Sequence, residues 1–130
     1  MSAQSTRWLE ARWRAGADAE LTLVGWSMAP ALRDGDRLQV ASLVGTAPVP
    51  GEIVVAKRGE RLVTHRLVSL AGGQAVTRGD GCTVDDPALD ASLLLGRVVE
   101  VRRGRRRLAP PSRGRSWRQR LWALGMGRGR

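Results

Sequence analysis

The chain has 130 residues and a formal net charge of +10, with five Trp and neither Phe nor Tyr. That length sets a single domain of roughly 100–200 residues, and its core must be packed mainly from Val, Leu, Ile and Ala. Cys82 is the only cysteine and His65 the only histidine, so no intramolecular disulfide can form and a zinc site of the usual kind is not expected. No apolar run approaches the roughly 18–20 residues of a membrane span, and Met1 to Arg14 lack the apolar stretch of a secretory signal. The expectation is therefore a soluble, cytoplasmic chain without a membrane anchor and without a cofactor.

The charge is unevenly placed. Residues 101–130 hold 11 of the 22 Arg and Lys and none of the 12 acids, which leaves residues 1–100 with 11 basic groups against 12 acids. The basic character thus belongs to the tail and bears on partners more than on the fold.

In chain order, Thr6 to Ala15 sets Trp8, Leu9 and Trp13 among arginines at helical spacing, which predicts a short amphipathic helix ended by Gly16. Its tryptophans are expected to pack on a sheet as a lid. From Glu20 to Arg103 the pattern changes to strands, predicted at 21–24, 37–41, 52–57, 61–70, 74–77 and 94–102. Turn signals separate them at Asp34-Gly35, Pro48 to Gly51, Gly72-Gly73 and Gly79 to Gly81, and Arg58-Gly59-Glu60 joins two strands as a hairpin. Short strands with frequent glycine predict a mainly β fold, a compact coiled sheet of barrel-like form with short terminal helices. Beyond Val101 the arginine runs and Pro110-Pro111 predict a flexible linker. Ser116 to Met126 then places Trp117, Leu121 and Leu124 on one helical face. The expected divisions are an N-terminal helix over 1–19, a β domain over 20–103 and a basic tail over 104–130.

One stretch stands out for its chemistry. Gly25-Trp26-Ser27-Met28-Ala29-Pro30, running on to Gly35-Asp36, is a tight turn between two strands that presents one hydroxyl, and reactive groups are often carried on such connections. A serine hydroxyl needs a base within roughly 2.6–3.2 Å to act as a nucleophile. The chain offers His65 and Lys57, its only lysine. Taken singly, a serine in a glycine-containing turn is usually a turn residue, and a histidine on an apolar strand is usually packed. Their conjunction, in order and followed by the acids Asp80, Asp85 and Asp86, is what favours chemistry.

Gly25-x-Ser27-Met28-x-Pro30-x-Leu32-x-x-Gly35-Asp36 resembles the signature around the nucleophile of the type I signal peptidases and their LexA-type relatives. Val63-Thr64-His65-Arg66-Leu67-Val68 looks like the block that supplies the general base. Thr77-Arg78-Gly79-Asp80, Val84-Asp85-Asp86 and Leu95-Gly96-Arg97-Val98-Val99 resemble the closing block. The likeness covers Leu21 to Val101. His65 stands where bacterial members carry lysine, which is similar to the endoplasmic-reticulum and archaeal variant. Imidazole accepts a proton with little tuning, whereas lysine must first be desolvated. Its second nitrogen also calls for a carboxylate to fix the tautomer.

The resemblance implies a serine endopeptidase acting on a precursor or leader peptide, with Ser27 as nucleophile, His65 as base and Asp86 as the orienting acid. Asp80, which matches the family's Gly-Asp acid, stays open as the rival. It also implies the Ser27 N–H as an oxyanion donor, while Gly25 stands where lysine-type members carry a second, side-chain donor. Cys82 replaces a family asparagine region and reads as a small filler. Substrate is expected along neighbouring strands, with Leu23, Met28, Ile53 and Val63 as liners.

Two other classes compete. A LexA-type regulatory domain would cut itself, and Ala15-Gly16 and Ala71-Gly72 are dipeptides of the kind such proteins cleave, although no helix-turn-helix region precedes the strands. A non-catalytic basic protein would use the tail to hold an anionic partner or a membrane surface. Nucleic acid is the least expected partner, since the tail carries no recognised binding motif.

Overall fold

A computed structural model describes residues 3–111; the helix expected over 116–126 lies outside them. Helix α1 (Ala3–Arg14) is followed by strands β1 (Ala19–Thr22), β2 (Arg37–Ser42), β3 (Ile53–Arg58), β4 (Arg61–Ala71), β5 (Gln74–Arg78) and β6 (Leu89–Asp90). A 3-10 turn over Ala91–Leu93 leads to β7 (Leu94–Arg103) and β8 (Arg106–Leu108). The described residues are mainly β, a curled antiparallel half-barrel with one short helix near the N-terminus. Strand order is β1-β2-β7-β3-β4-β5-β6, with β8 beside β7.

Curling follows from irregular pairing. The register shifts at Gln39/Val40 against β7, at Val55/Ala56 between β3 and β7, and at Leu67/Ser69 against β5, and each such bulge bends and twists its strand. Where β2 pairs with β7 the backbones come so close that a Cβ on Gly96 would run into Val40 Cγ1 and meet Ala41 O at 2.9 Å. Only glycine fits there without moving a strand.

Both faces of the middle strands are covered, which is why β3 reads as an unbroken apolar run. Ile53 and Val55 join one buried cluster with Leu38, Val40 and Val101. Val54 and Ala56 point the other way, into a second with Leu67, Ala75 and Leu89. Helix α1 closes the first cluster through Thr6, Leu9 and Trp13, all buried, at a spacing that puts them on one helical face. Trp13 also donates from Nε1 to the carbonyl of Val40 at 3.2 Å. The expected lid is thus half right: Trp8 is 59% exposed, with the Arg12 guanidinium 5.3 Å from its ring centroid. It sits one residue off the buried stripe. Among the described residues no helix is long and apolar enough to cross a membrane.

The flexible linker expected after Val101 is corrected over residues 102–108; its part beyond Pro111 lies outside the described residues. The chain turns at Gly104-Arg105 and returns as β8, pairing Val101 with Leu108, Arg102 with Arg107 and Arg103 with Arg106. Ladder hydrogen bonds and one apolar anchor, Leu108 packed on the first cluster, order a stretch whose arginines stay at the surface.

A buried ion pair ties this hairpin to the loop before β2. Asp36 is 2% exposed and accepts from Arg103 Nε at 2.9 Å, from Arg103 Nη2 at 2.8 Å and from the Arg33 N–H at 2.8 Å. The fork with Arg103 holds the Asp36 carboxyl below its ordinary range, against the opposing effect of burial. A carboxyl depressed on folding stabilises the fold above its unfolded pKa of about 3.9, and that contribution is lost as pH falls through the lower folded value. Asp36→Asn is expected to lower stability at pH 7 by about 2–3 kcal/mol, since hydrogen bonds to charged groups carry that much. Thermal melts at pH 7 and pH 3 check it: the gap between variant and wild type should narrow in acid.

Candidate functional site

Ser27 lies on the connection from β1 to β2. Its turn is held by Gly25 N–H donating to Asp34 Oδ1 at 2.7 Å, by Ala29 N–H to Trp26 O at 3.0 Å and by Leu32 N–H to Met28 O at 2.9 Å. Met28 and Leu32 are fully buried and pin the turn to the core, whereas Trp26 is 69% exposed. The turn contains a cis Ala29-Pro30 peptide bond.

His65 stands in the middle of β4, opposite Val54. Its Nε2 is 3.0 Å from Ser27 Oγ, across 38 residues of chain. Its Nδ1 is 2.6 Å from Asp86 Oδ2. The His65 side chain is 10% exposed and that of Asp86 21%. Burial raises the Asp86 carboxyl, but hydrogen bonds from Thr77 and His65, with the nearby charge of Arg58, outweigh it and hold Asp86 below the ordinary carboxylate range. An ionised Asp86 can only accept, so Nδ1 is the donor to it, and in a neutral imidazole the Nε2 lone pair then faces the serine hydroxyl.

Asp80 has a different task. It takes a fork from Arg66, Nε to Oδ1 at 3.0 Å and Nη2 to Oδ2 at 2.6 Å. Arg66 is 4% exposed and its Nη1 also donates to the carbonyls of Gly51 and Pro111. This braces the turn over 79–82 against the Ser27 turn: Gly81 N–H donates to Ser27 O at 2.8 Å and Asp80 N–H lies 3.4 Å from Met28 Sδ. Cys82 fills the space behind, with Sγ 4.0 Å from Ser27 O. Of the two acids left open by the sequence, Asp86 therefore contacts the imidazole and Asp80 does not. Asp85 is exposed, 3.8 Å from Arg78. Lys57, the other basic candidate, pairs with Glu10 at 3.0 Å.

A cleft of about 670 Å³ opens beside Ser27, His65 and Asp86, between Leu21–Val24 on one side and Arg61–Thr64 on the other. Among the described residues these are strand edges: β1 pairs only with β2, and β4 meets β5 only from Arg66 onward. Leu23 and Val63 line the cleft, Leu23 while also packing in the first core cluster. Met28 and Ile53 do not; both are buried in the first core cluster, Met28 because it anchors the turn and Ile53 because its position on β3 faces inward.

Sequence reasoning gave no role to Thr77 or Arg58. Thr77 donates from Oγ1 to Asp86 Oδ2 at 2.6 Å, and Arg58 donates to the carbonyl of Pro87 at 2.8 Å. The available signal was the alternation of β5, which turns Thr77 inward with Ala75 and so obliges its hydroxyl to find a partner. No protein-family model and no curated protein matches the chain.

The geometry depends on a missing side chain. A Cβ on Gly79 would lie 2.5 Å from Ser27 O, 2.8 Å from Cys82 Sγ and 3.0 Å from His65 Nε2. Gly79→Ala must therefore push the Ser27 turn off the imidazole. If the pair is reactive, the rate at Ser27 should fall on the order of 10²-fold, the cost of about 1 Å of misplacement, measurable as slower acylation by a serine-directed reagent.

Proposed function

We propose that this protein is a serine endopeptidase of the signal-peptidase-like superfamily that cuts an extended stretch of a precursor or leader peptide. The observation that carries this reading is the Ser27–His65–Asp86 alignment, with 3.0 Å and 2.6 Å between its members. Those are distances at which a proton passes from hydroxyl to imidazole while a carboxylate holds the ring.

Ser27 Oγ attacks the scissile carbonyl carbon as its proton moves to His65 Nε2. The tetrahedral intermediate collapses when the imidazolium returns that proton to the departing amine, leaving an acyl ester on Ser27. Water then gives a proton to His65 and attacks the ester, and the acid product leaves as Ser27 recovers its hydrogen. The Ser27 N–H, which has no acceptor among the described residues, is available to the oxyanion. Gly25 brings no side-chain donor, so the rest of that stabilisation falls to backbone.

The two strand edges beside the cleft suit a peptide added as a strand between them, with main-chain hydrogen bonds giving affinity and its side chains meeting the cleft-lining Leu23, Val24 and Val63. We place this activity in the cytoplasm, on soluble precursors, with the arginine-rich tail as a contact for an anionic surface. Self-cleavage finds less support: Ala71-Gly72 sits in the β4–β5 hairpin, and Ala15-Gly16 closes α1. Neither dipeptide borders the cleft.

A fluorophosphonate probe tests the reading directly. Wild type should become labelled, and Ser27→Ala and His65→Ala should not. Full-rate labelling of the His65 variant, or none in folded wild type, would remove the proposal.

A further inference from the structure

The residue behind the Ser27–His65–Asp86 line is itself unusual. Thr77 is 1% exposed and holds Asp86 twice: its carbonyl accepts the Asp86 N–H at 2.8 Å, and its hydroxyl donates to Oδ2 at 2.6 Å. Oδ2 is the same oxygen that receives His65 Nδ1. Arg58 Nη2 lies 3.5 Å from Thr77 Oγ1, with its donor strength spent on Pro87 O at 2.8 Å. Arg58, Thr77, Asp86, His65 and Ser27 thus form one continuous polar line running from the β3–β4 hairpin to the cleft.

We propose that Thr77 is a positioning residue for His65, its hydroxyl fixing the Asp86 carboxylate in the one orientation that selects the Nδ1–H tautomer. The role rests on the peptidase reading only in what that tautomer is for; the selection of the tautomer is a property of the resting protein.

The argument is one of degrees of freedom. Asp86 lies on an irregular connection between β5 and β6, next to the exposed Asp85 and Pro87, where nothing regular fixes its side-chain torsion. A carboxylate free to turn presents either oxygen, or neither, to the imidazole. The hydroxyl of a threonine on a paired strand is a rigid donor, since the β-branched side chain is restricted at χ1. With Thr77 opposite Leu67 in the ladder, that donor is set on the strand adjoining His65's own. Two donors on one carboxylate oxygen also favour its ionised form, in keeping with the direction in which Asp86 is displaced. The ring nitrogen nearest such an oxygen must carry hydrogen, and the other is left to accept from Ser27.

His65 is the only histidine in the chain, so the tautomer can be read without assignment. In untagged protein, imidazole ¹⁵N shifts at neutral pH should show Nδ1 protonated and Nε2 bare in wild type. Thr77→Val, close in shape but without the hydroxyl, should add a second population protonated at Nε2 and slow probe labelling by about 10–100-fold, the worth of one hydrogen bond to a charged group. Thr77→Ser should restore both. If the valine form does not fold by circular dichroism, Thr77→Ala removes the same donor and is read in its place. A hydroxyl-free variant with a wild-type tautomer overturns the proposal. A folded wild type that never labels, yet whose tautomer shifts in the variant, fails the peptidase reading and leaves the positioning role standing.

Discussion

Everything at the site depends on how closely two turns approach each other. The backbone over 79–82 lies against the backbone of the Ser27 turn, joined by the Gly81 N–H to Ser27 O bond, and the space between has no room for a Cβ at Gly79. Neither turn belongs to the regular sheet, so neither would be fixed by strand pairing alone. What holds them is polar and buried: the Arg66–Asp80 fork on one side and the Asp36–Arg103 fork on the other. Leaving a buried charge without its partner costs far more than an exposed ion pair contributes. These two pairs therefore matter more to the geometry than the surface pairs of Glu10 with Arg14 or Glu100 with Arg102.

The curled sheet supplies the other half of the arrangement. Because β1 and the first half of β4 each pair on one side only among the described residues, the half-barrel leaves two edges facing a cleft in place of closing into a complete barrel. Open edges are a hazard in a sheet, since they invite pairing with other chains. Here one is four residues long and the other is bordered by the charged Arg58, Glu60 and Arg61. Under the proposed function the same openness admits a peptide as an added strand, and the short length limits what else can pair.

Much of this was legible in the sequence. The alternation of β2 and β5 and the position of every strand but β1 and the two shortest follow from apolar pattern and turn residues; β1, expected at 21–24, lies at Ala19–Thr22 because its pairing with β2 begins at Ala19 and ends at Thr22. β6 is two residues long, and in β8 three consecutive positions carry only Leu108 as an apolar signal, so composition argued for disorder while pairing with β7 ordered it. Leu23 and Val63 could be placed in the cleft, but Met28 and Ile53 could not be told from them, because whether an apolar residue lines a cleft or a core is set by how the sheet curls. Thr77, though part of the closing block, was given no role, since a threonine on a strand is ordinary until its inward-facing hydroxyl is matched with a partner nine residues away.

The choice between Asp80 and Asp86 shows where pattern stops and geometry begins. His65 and Arg66 are consecutive on β4, so their side chains leave the strand on opposite faces. Each needs a carboxylate, and the segment over 80–86 supplies one to each face: Asp80 to the guanidinium, Asp86 to the imidazole. Spacing along the chain cannot say which acid reaches which face, because the connection is irregular. Once Gly79 and Gly81 are fixed against the Ser27 turn, however, Asp80 lies beside Met28, within the Arg66 fork. Asp86 is carried on until Thr77 stops it with two hydrogen bonds, beside the imidazole. The guanidinium takes the acid that braces the two turns, and the imidazole the one that can orient it toward Ser27. Exchanging the two acids would require β4 to shift by one residue, which would turn Leu67 out of the core.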